Sequence, residues 1–323
     1  MADYGLRDWD EVSDDRDWPV LLLGNGFSRA VSESFSYGSL FEVAPLVEDD
    51  RNLFDALTTT NFEEVLYHLR SSILVCQQLG HNHIEVEGRY ESIRDALIQA
   101  VHDHHVTWEG VTAGDRLVAI QQVLRQHRAV FTTSYDLVIY WAMLADGGID
   151  AGLVDLFWGA NHVFDPFDAQ PHAGKIPVYW LHGALHMERT ISGETQKRTN
   201  QGANLLATFG AGDQVPLFVS EGTSQQKLRV IRRSNYLDHT FQQLSQGEGA
   251  LVIYGQGLGN QDRHIASAIR RRTNSHVAYG VFADSQASAD LQVAEIENRL
   301  LGCDLTFFDS RTHDLGNPAL LVP

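Results

Sequence analysis

Cysteine is nearly absent. The 323 residues hold only Cys76 and Cys303, too few for a disulfide scaffold or a four-cysteine zinc site. Positive charge is scarce as well: 24 lysines and arginines stand against 42 aspartates and glutamates, a net charge of −18. A surface this acidic repels phosphate backbones, which argues against direct nucleic-acid binding. No apolar run approaches the roughly 20 residues of a membrane span. The first turn of sequence carries Asp3, Asp8, Asp10 and Glu11, where a secretion signal starts basic. These absences predict a soluble, cytoplasmic protein with no membrane partner. What is present is enough apolar material, 43% of residues, for one large core or two ordinary ones.

Short apolar β-rich runs alternate with longer amphipathic ones, the pattern of a parallel sheet covered by helices. The strand candidates are Val20–Leu23, Ala129–Thr133, Val154–Trp158, Pro177–Leu181, Leu217–Ser220, Ala250–Tyr254, His276–Phe282 and Asp304–Phe308. Most are continuously hydrophobic, as where both sheet faces are buried. Between about Val47 and His127 the rhythm changes to helices alone. Asn61 and Glu64 make a capping-box-like start, Phe62, Val65, Leu66, Leu69 and Ile73 repeat at helical spacing, and Gly80 stops the run. Two further helices fit Ser92–His105 and Asp115–His127. The expected fold is α/β: a Rossmann-like, doubly wound, mostly parallel sheet forming one domain over 1–323, with an all-helical insertion at 47–127. Later, one helix is expected over Ser224–Gln246, carrying Lys227, Arg229, Arg232 and Arg233. Arg270, Arg271 and Arg272 close the next, where cations suit the helix dipole.

Four segments carry the chemistry. Val20–Leu23 runs into Gly24-Asn25-Gly26-Phe27-Ser28, a strand followed by a glycine turn that lets backbone N–H groups approach a phosphate. Arg29 stands where a full dinucleotide fingerprint has its third glycine, so a purely structural tight turn explains the motif equally well. Phe131-Thr132-Thr133-Ser134-Tyr135-Asp136 puts hydroxyls and a carboxylate at one strand end, and Trp180-Leu181-His182-Gly183 puts a histidine at another. Ile253-Tyr254-Gly255-Gln256-Gly257-Leu258-Gly259-Asn260-Gln261-Asp262 is a second glycine turn. In an open α/β sheet the strand C-termini share one crevice, so the four meet over one ligand. Asp136 and Asp262 also suit helix caps, and His182 a hydrogen-bonded core residue.

In this order the four segments resemble the sirtuin-like NAD-hydrolysing proteins of bacteria. That family's pattern is Gly-X-Gly-X-Ser, Thr-Thr-Asn-Tyr-Asp, Leu-His-Gly and a late Gly-X-(Ser or Gly)-Leu turn with a nearby Asp. Ser36-Tyr37-Gly38-Ser39-Leu40-Phe41 and Phe218-Val219-Ser220-Glu221-Gly222-Thr223 look like one branch of it associated with antiphage defence. The resemblance implies that NAD lies across the sheet's C-terminal edge and that its nicotinamide–ribose bond is cleaved. His182 matches the general base, and Asp136 the carboxylate near the nicotinamide ribose. Gly24, Asn25, Gly26, Phe27, Ser28 and Thr133 match the phosphate-and-ribose binding set. Gly255, Gly257 and Asp262 match the adenosine side. NAD is then substrate or ligand, no further cofactor is implied, and a homo-oligomer or a regulatory sensor subunit gates the site. The sirtuin zinc module is missing, which favours free NAD over acetylated protein.

Ser134 departs from the pattern, standing where the family has Asn. Its hydroxyl is closer to the backbone than a carboxamide, and an ångström of misplacement costs on the order of a hundredfold in rate. A non-catalytic NAD- or nucleotide-binding regulatory subunit is therefore the alternative. A serine hydrolase assembled from Ser134, His182 and Asp136 lacks the nucleophile elbow. His81, His83, His102, His104 and His105 lack a completing carboxylate or cysteine and fit solvated helix residues, so no metal is expected. Trp158, Tyr179 and Trp180 fit the core.

Overall fold

The computed structural model describes residues 4–35, 40–146, 152–159, 162–167, 174–190, 193–198, 205, 215–219, 222–273 and 276–322. Residues 36–39 and Ser220–Glu221, two pieces of the family wording, lie outside them. Helix α1 (Trp9–Ser13) leads into strand β1 (Val20–Leu23). Among the described residues only helices follow before the next strand: α2 (Asn25–Val31), α3 (Leu40–Val43), α4 (Glu48–Ala56), α5 (Phe62–Leu79), α6 (Ile84–His104), α7 (Trp108–Thr112) and α8 (Arg116–Leu124). Next come β2 (Ala129–Thr132), α9 (Val138–Leu144), β3 (Leu153–Val154) and β4 (Ile176–Trp180), then β5 (Gly183–Arg189), β6 (Thr195–Lys197) and β7 (Val215–Phe218). The last third holds α10 (Ser224–Arg233), α11 (Asn235–Gln246), β8 (Leu251–Tyr254), α12 (Arg263–Ile269), β9 (His276–Val281), α13 (Gln286–Arg299) and β10 (Asp304–Asp309).

Among the described residues the central sheet has seven strands in the order β10-β9-β8-β1-β2-β4-β3, and every pairing in it is parallel. This is the doubly wound α/β fold that the alternating pattern predicts. Leu21, Leu22 and Leu23 are fully buried because β1 sits mid-sheet with helices on both faces. From β1 the chain runs through β2 to β3 at the edge, steps back to β4 between them, and later crosses to β8 on the other side of β1. The order therefore reverses between β1 and β8, the place where ligands settle in such sheets.

Three expectations need correction. The run Leu217–Ser220 does not join the parallel sheet: β7 pairs antiparallel with β5 in a separate three-stranded sheet, order β6-β5-β7. Val154–Trp158 is strand only at its start, and Trp158 is 37% exposed rather than core. The helix over Ser224–Gln246 is two helices. Ser234 takes extended backbone (φ −101, ψ 126) and its hydroxyl accepts from the N–H of Leu237, capping α11 instead of continuing α10.

Gly183 makes the transition between the sheets. Its φ of +74 turns the chain from β4 into β5, and a Cβ there would collide with the backbone carbonyl of Leu217. Gly174 also has positive φ (+88), but open space surrounds it. Gly174→Ala is expected to lose about 1 kcal/mol, the conformational cost alone. Gly183→Ala is expected to lose at least ~2 kcal/mol more, since a strand pair must part. Urea denaturation of both variants checks this, and equal losses would refute the packing role.

Candidate functional site

The two glycine turns lie side by side at the reversal point. Gly24 N–H donates to the carbonyl of Tyr254 (3.0 Å) and Gly26 N–H to that of Gly255 (2.8 Å). A Cβ on Gly24 would lie 2.5 Å from Cα of Gln256, and one on Gly26 would lie 2.7 Å from Cα of Gly255. Gly255 itself has φ +69. These glycines are required because backbone packs on backbone. Phe27 N–H closes back on the carbonyl of Gly24 (3.0 Å), so three N–H groups of the supposed phosphate cradle are already spent within the protein. Asn25 reaches the carbonyl of Phe35 at 3.5 Å. Gly257 differs: nothing lies within 4 Å of a Cβ built there. It borders a cavity of about 550 Å³ shared with Gly26, Arg29, Tyr254, Tyr279 and Arg311.

On the other side of β1 the strand end of β2 brings three short side chains together. Ser28 Oγ lies 2.5 Å from Oδ2 of Asp136 and 3.1 Å from Oγ of Ser134. Oδ1 of Asp136 accepts from the N–H of Val138 (2.8 Å), so the carboxylate both starts α9 and holds Ser28. Ser28, Ser134 and Asp136 are all buried. Thr133 N–H donates to the carbonyl of Leu23 (2.9 Å), and Thr133 Oγ1 accepts from Nε2 of Gln256 (2.7 Å). Gln256 therefore ties the second glycine turn across the crevice. His105 is part of this support rather than a solvated residue. Its Nε2 accepts from the N–H of Leu137 (2.9 Å) and its Nδ1 donates to the carbonyl of Val106 (2.8 Å), which fixes the tautomer. Burial lowers its pKa, while the charge of Asp136 opposes that.

His182 stands in a buried network that the sequence does not reveal. Its Nε2 lies 2.9 Å from Nε2 of His264, and Nδ1 of His264 lies 3.0 Å from the hydroxyl of Ser224. With Ser224 donating, His264 passes its proton toward His182; with Ser224 accepting, the direction reverses. Asp262 closes the group, with Oδ1 3.1 Å from Nζ of Lys227 and 4.0 Å from Nε2 of His182. Asp262 occupies the N-cap position of α12, but its side chain makes no capping bond and turns to Lys227 instead. Burial, then the charges of Lys227 and His264, hold His182 well below the usual imidazole range. Burial likewise pushes His264 down to about 4. Both rings are neutral at pH 7. His182, Asp262 and His264 offer three donor atoms within 4.8 Å of one another, a set that fits a metal ion. The ammonium of Lys227, itself buried, already supplies the positive charge at that carboxylate.

The structure thus gathers Gly24–Ser28, Thr133–Asp136, His182 and Gly255–Gly257 at one sheet edge. It does not assemble a serine-hydrolase triad: Asp136 engages Ser28, and His182 engages His264. Sequence reasoning missed Gln256, Lys227, Ser224 and His264. The available signals were the spacing Asp262–His264 and the place of Lys227 in a basic cluster that follows a strand end. Arg272, expected among the cations at a helix end, is instead buried and donates to the carbonyls of Leu244 (2.8 Å) and Glu248 (2.9 Å).

A family model described as a domain of unknown function (DUF4917) matches residues 21–315, and the chain belongs to that family. No curated protein matches it.

The neutral histidines make stability depend on pH. His264 binds a proton near pH 4 when folded and near 6.5 when unfolded. The unfolded chain therefore takes up more protons in between, and stability falls as pH drops from 6.5 to about 4. His264→Gln is expected to flatten that slope by about one proton, ~1.4 kcal/mol per pH unit. Denaturation midpoints between pH 4 and 7 test this; an unchanged slope would contradict it.

Proposed function

We propose that the chain is an NAD glycohydrolase of the sirtuin-like kind, acting in the cytoplasm as a gated effector of bacterial antiphage defence. The observation that carries the reading is the convergence of all four family segments on the crevice at the sheet's reversal point. In the reaction, the bond between nicotinamide and ribose C1′ breaks, nicotinamide leaves with the bonding pair, and water adds to the oxocarbenium-like carbon. The products are nicotinamide, ADP-ribose and one proton. Asp136, fixed by Ser28, faces the positive charge that grows on the ribose. His182 is neutral, as a general base must be, and its bond to His264 gives the proton an onward path. The adenosine half fits the cavity beside Gly257, which Tyr254 and Tyr279 line.

Gating has physical support. Ser28 is 0% exposed, Ser134 3%, Asp136 4% and His182 4%, so a ribose reaches them only when covering groups move; the Gln256–Thr133 bond spans the same crevice. The insertion touches the same region, since Gln226 Nε2 donates to the carbonyl of Thr58 between α4 and α5 (2.5 Å). At its far end Val75, Leu79 and Ile84 are 57%, 65% and 72% exposed, an apolar tip suited to a second copy or a sensor subunit. The burial of Ser134 against Ser28 also favours a second reading, a regulatory subunit that binds NAD without cleaving it.

Nicotinamide release from NAD by the purified chain separates the readings. Turnover is expected, with His182→Ala reducing it by about a hundredfold or more. Ser134→Asn is expected to raise it, because the longer carboxamide reaches the ribose. Bound NAD with no release from any variant would establish the regulatory subunit. No binding and no release would overturn the nucleotide reading altogether.

A further inference from the structure

We propose that the groove between α10 and α12 binds a phosphorylated small molecule of nucleotide size, at a site separate from the reversal-point crevice. The groove is open to solvent and has a volume of about 660 Å³, within the range of ligand pockets. One wall is built at helical spacing from Ser224, Leu228 and Arg232, the other from Arg263, Ser267 and Arg271, and Phe241 and His264 form the floor.

The charge placement is what points to an anion. The protein carries −18 overall, yet Arg232, Arg263, Arg270, Arg271 and Arg299 surround one short helix in two adjoining cavities. Helix dipoles explain Arg270 and Arg271 at the end of α12. They do not explain Arg263, its first residue, where a cation is disfavoured. Arg263 is held by Oδ1 of Asn260 (3.0 Å). Arg232 pairs with Asp238 and lies over the ring of Phe241 (5.0 Å). Among the described residues no side chain pairs with Arg271. Glu295 borders the neighbouring cavity, which Arg271 does not line. Guanidinium groups at both ends of one wall, with serine hydroxyls between and opposite, suit several phosphate oxygens presented by one compact ligand. A nucleic-acid backbone suits it less, because its length would meet the acidic surface beyond the groove.

The groove also touches the candidate active site. Ser224 lines it, and its hydroxyl lies 3.0 Å from Nδ1 of His264, whose Nε2 meets His182. A phosphate that recruits the Ser224 hydroxyl changes the proton position in that pair. This regulatory consequence rests on the NAD reading; the binding itself does not.

Calorimetry with inorganic tripolyphosphate and with ATP, on the whole chain at about 0.1 M salt, tests the proposal. Both are expected to bind, and Arg263→Gln/Arg271→Gln to weaken them at least tenfold while leaving NAD binding unchanged. Gly257→Trp, which fills the crevice cavity instead, is expected to leave tripolyphosphate affinity as it is. Failure of either anion to bind, or binding indifferent to the double substitution, would overturn the proposal. Loss of tripolyphosphate binding in Gly257→Trp would overturn it too, by moving the anion to the crevice. Circular dichroism and unchanged thermal midpoints establish that the variants are folded.

Discussion

The close approach of two backbone turns organises this molecule. Gly24 and Gly26 after β1 meet Gly255 and Gln256 after β8 with no room for a Cβ between them. The contact joins the two halves of the doubly wound sheet where its strand order reverses, and it fixes which groups face the crevice. It also uses up the N–H groups of Gly24, Gly26 and Phe27, so those glycines serve packing before they serve any ligand. What remains open lies beside Gly257. A ligand that spans the crevice would use that cavity on one side and the Ser28–Asp136 corner on the other.

Around this seam the polar groups are buried and paired. Lys227 and Asp262 form an ion pair removed from solvent, and the neutral His182 and His264 stand against it. Buried charges of this kind are weak contributors to stability, but breaking one partner leaves the other uncompensated. The network's value is positional. It sets the orientation of His182 from α10 and α12, elements outside the sheet edge itself. Whatever moves those helices moves the histidine. The Gln256–Thr133 bond plays the matching role across the crevice.

The sheet was legible in the sequence because buried parallel strands are continuous apolar runs, and Val20–Leu23 and Ala250–Tyr254 announce themselves. The antiparallel sheet was not. Gly183-Ala184-Leu185-His186-Met187-Glu188-Arg189 ends in charged residues that are nevertheless buried, with Glu188 paired to Arg198 at 3.0 Å, and no local pattern forecasts that pairing. Ser234 ended a helix that periodicity carried straight through, because a capping hydroxyl is invisible to periodicity. The site was half legible. Residues at strand ends, such as His182 and Asp136, follow from topology. Their partners His264, Lys227 and Gln256 lie far away in the chain and meet them only through packing. The glycine turns were visible, but their reason was not, since close backbone approach to another turn and to a phosphate leave the same residue type.

The central claim is that the reversal-point crevice holds a dinucleotide, and Gly257 offers the most direct test. It is the glycine of the two turns with open space around it, so a large side chain there fills the cavity without disturbing the seam. NAD titrated into the parent chain and into Gly257→Trp in a calorimeter decides the matter. Binding by the parent that falls at least tenfold in the variant, with an unchanged thermal midpoint, is the predicted result. Equal affinity in the two chains, or none in the parent, would contradict it.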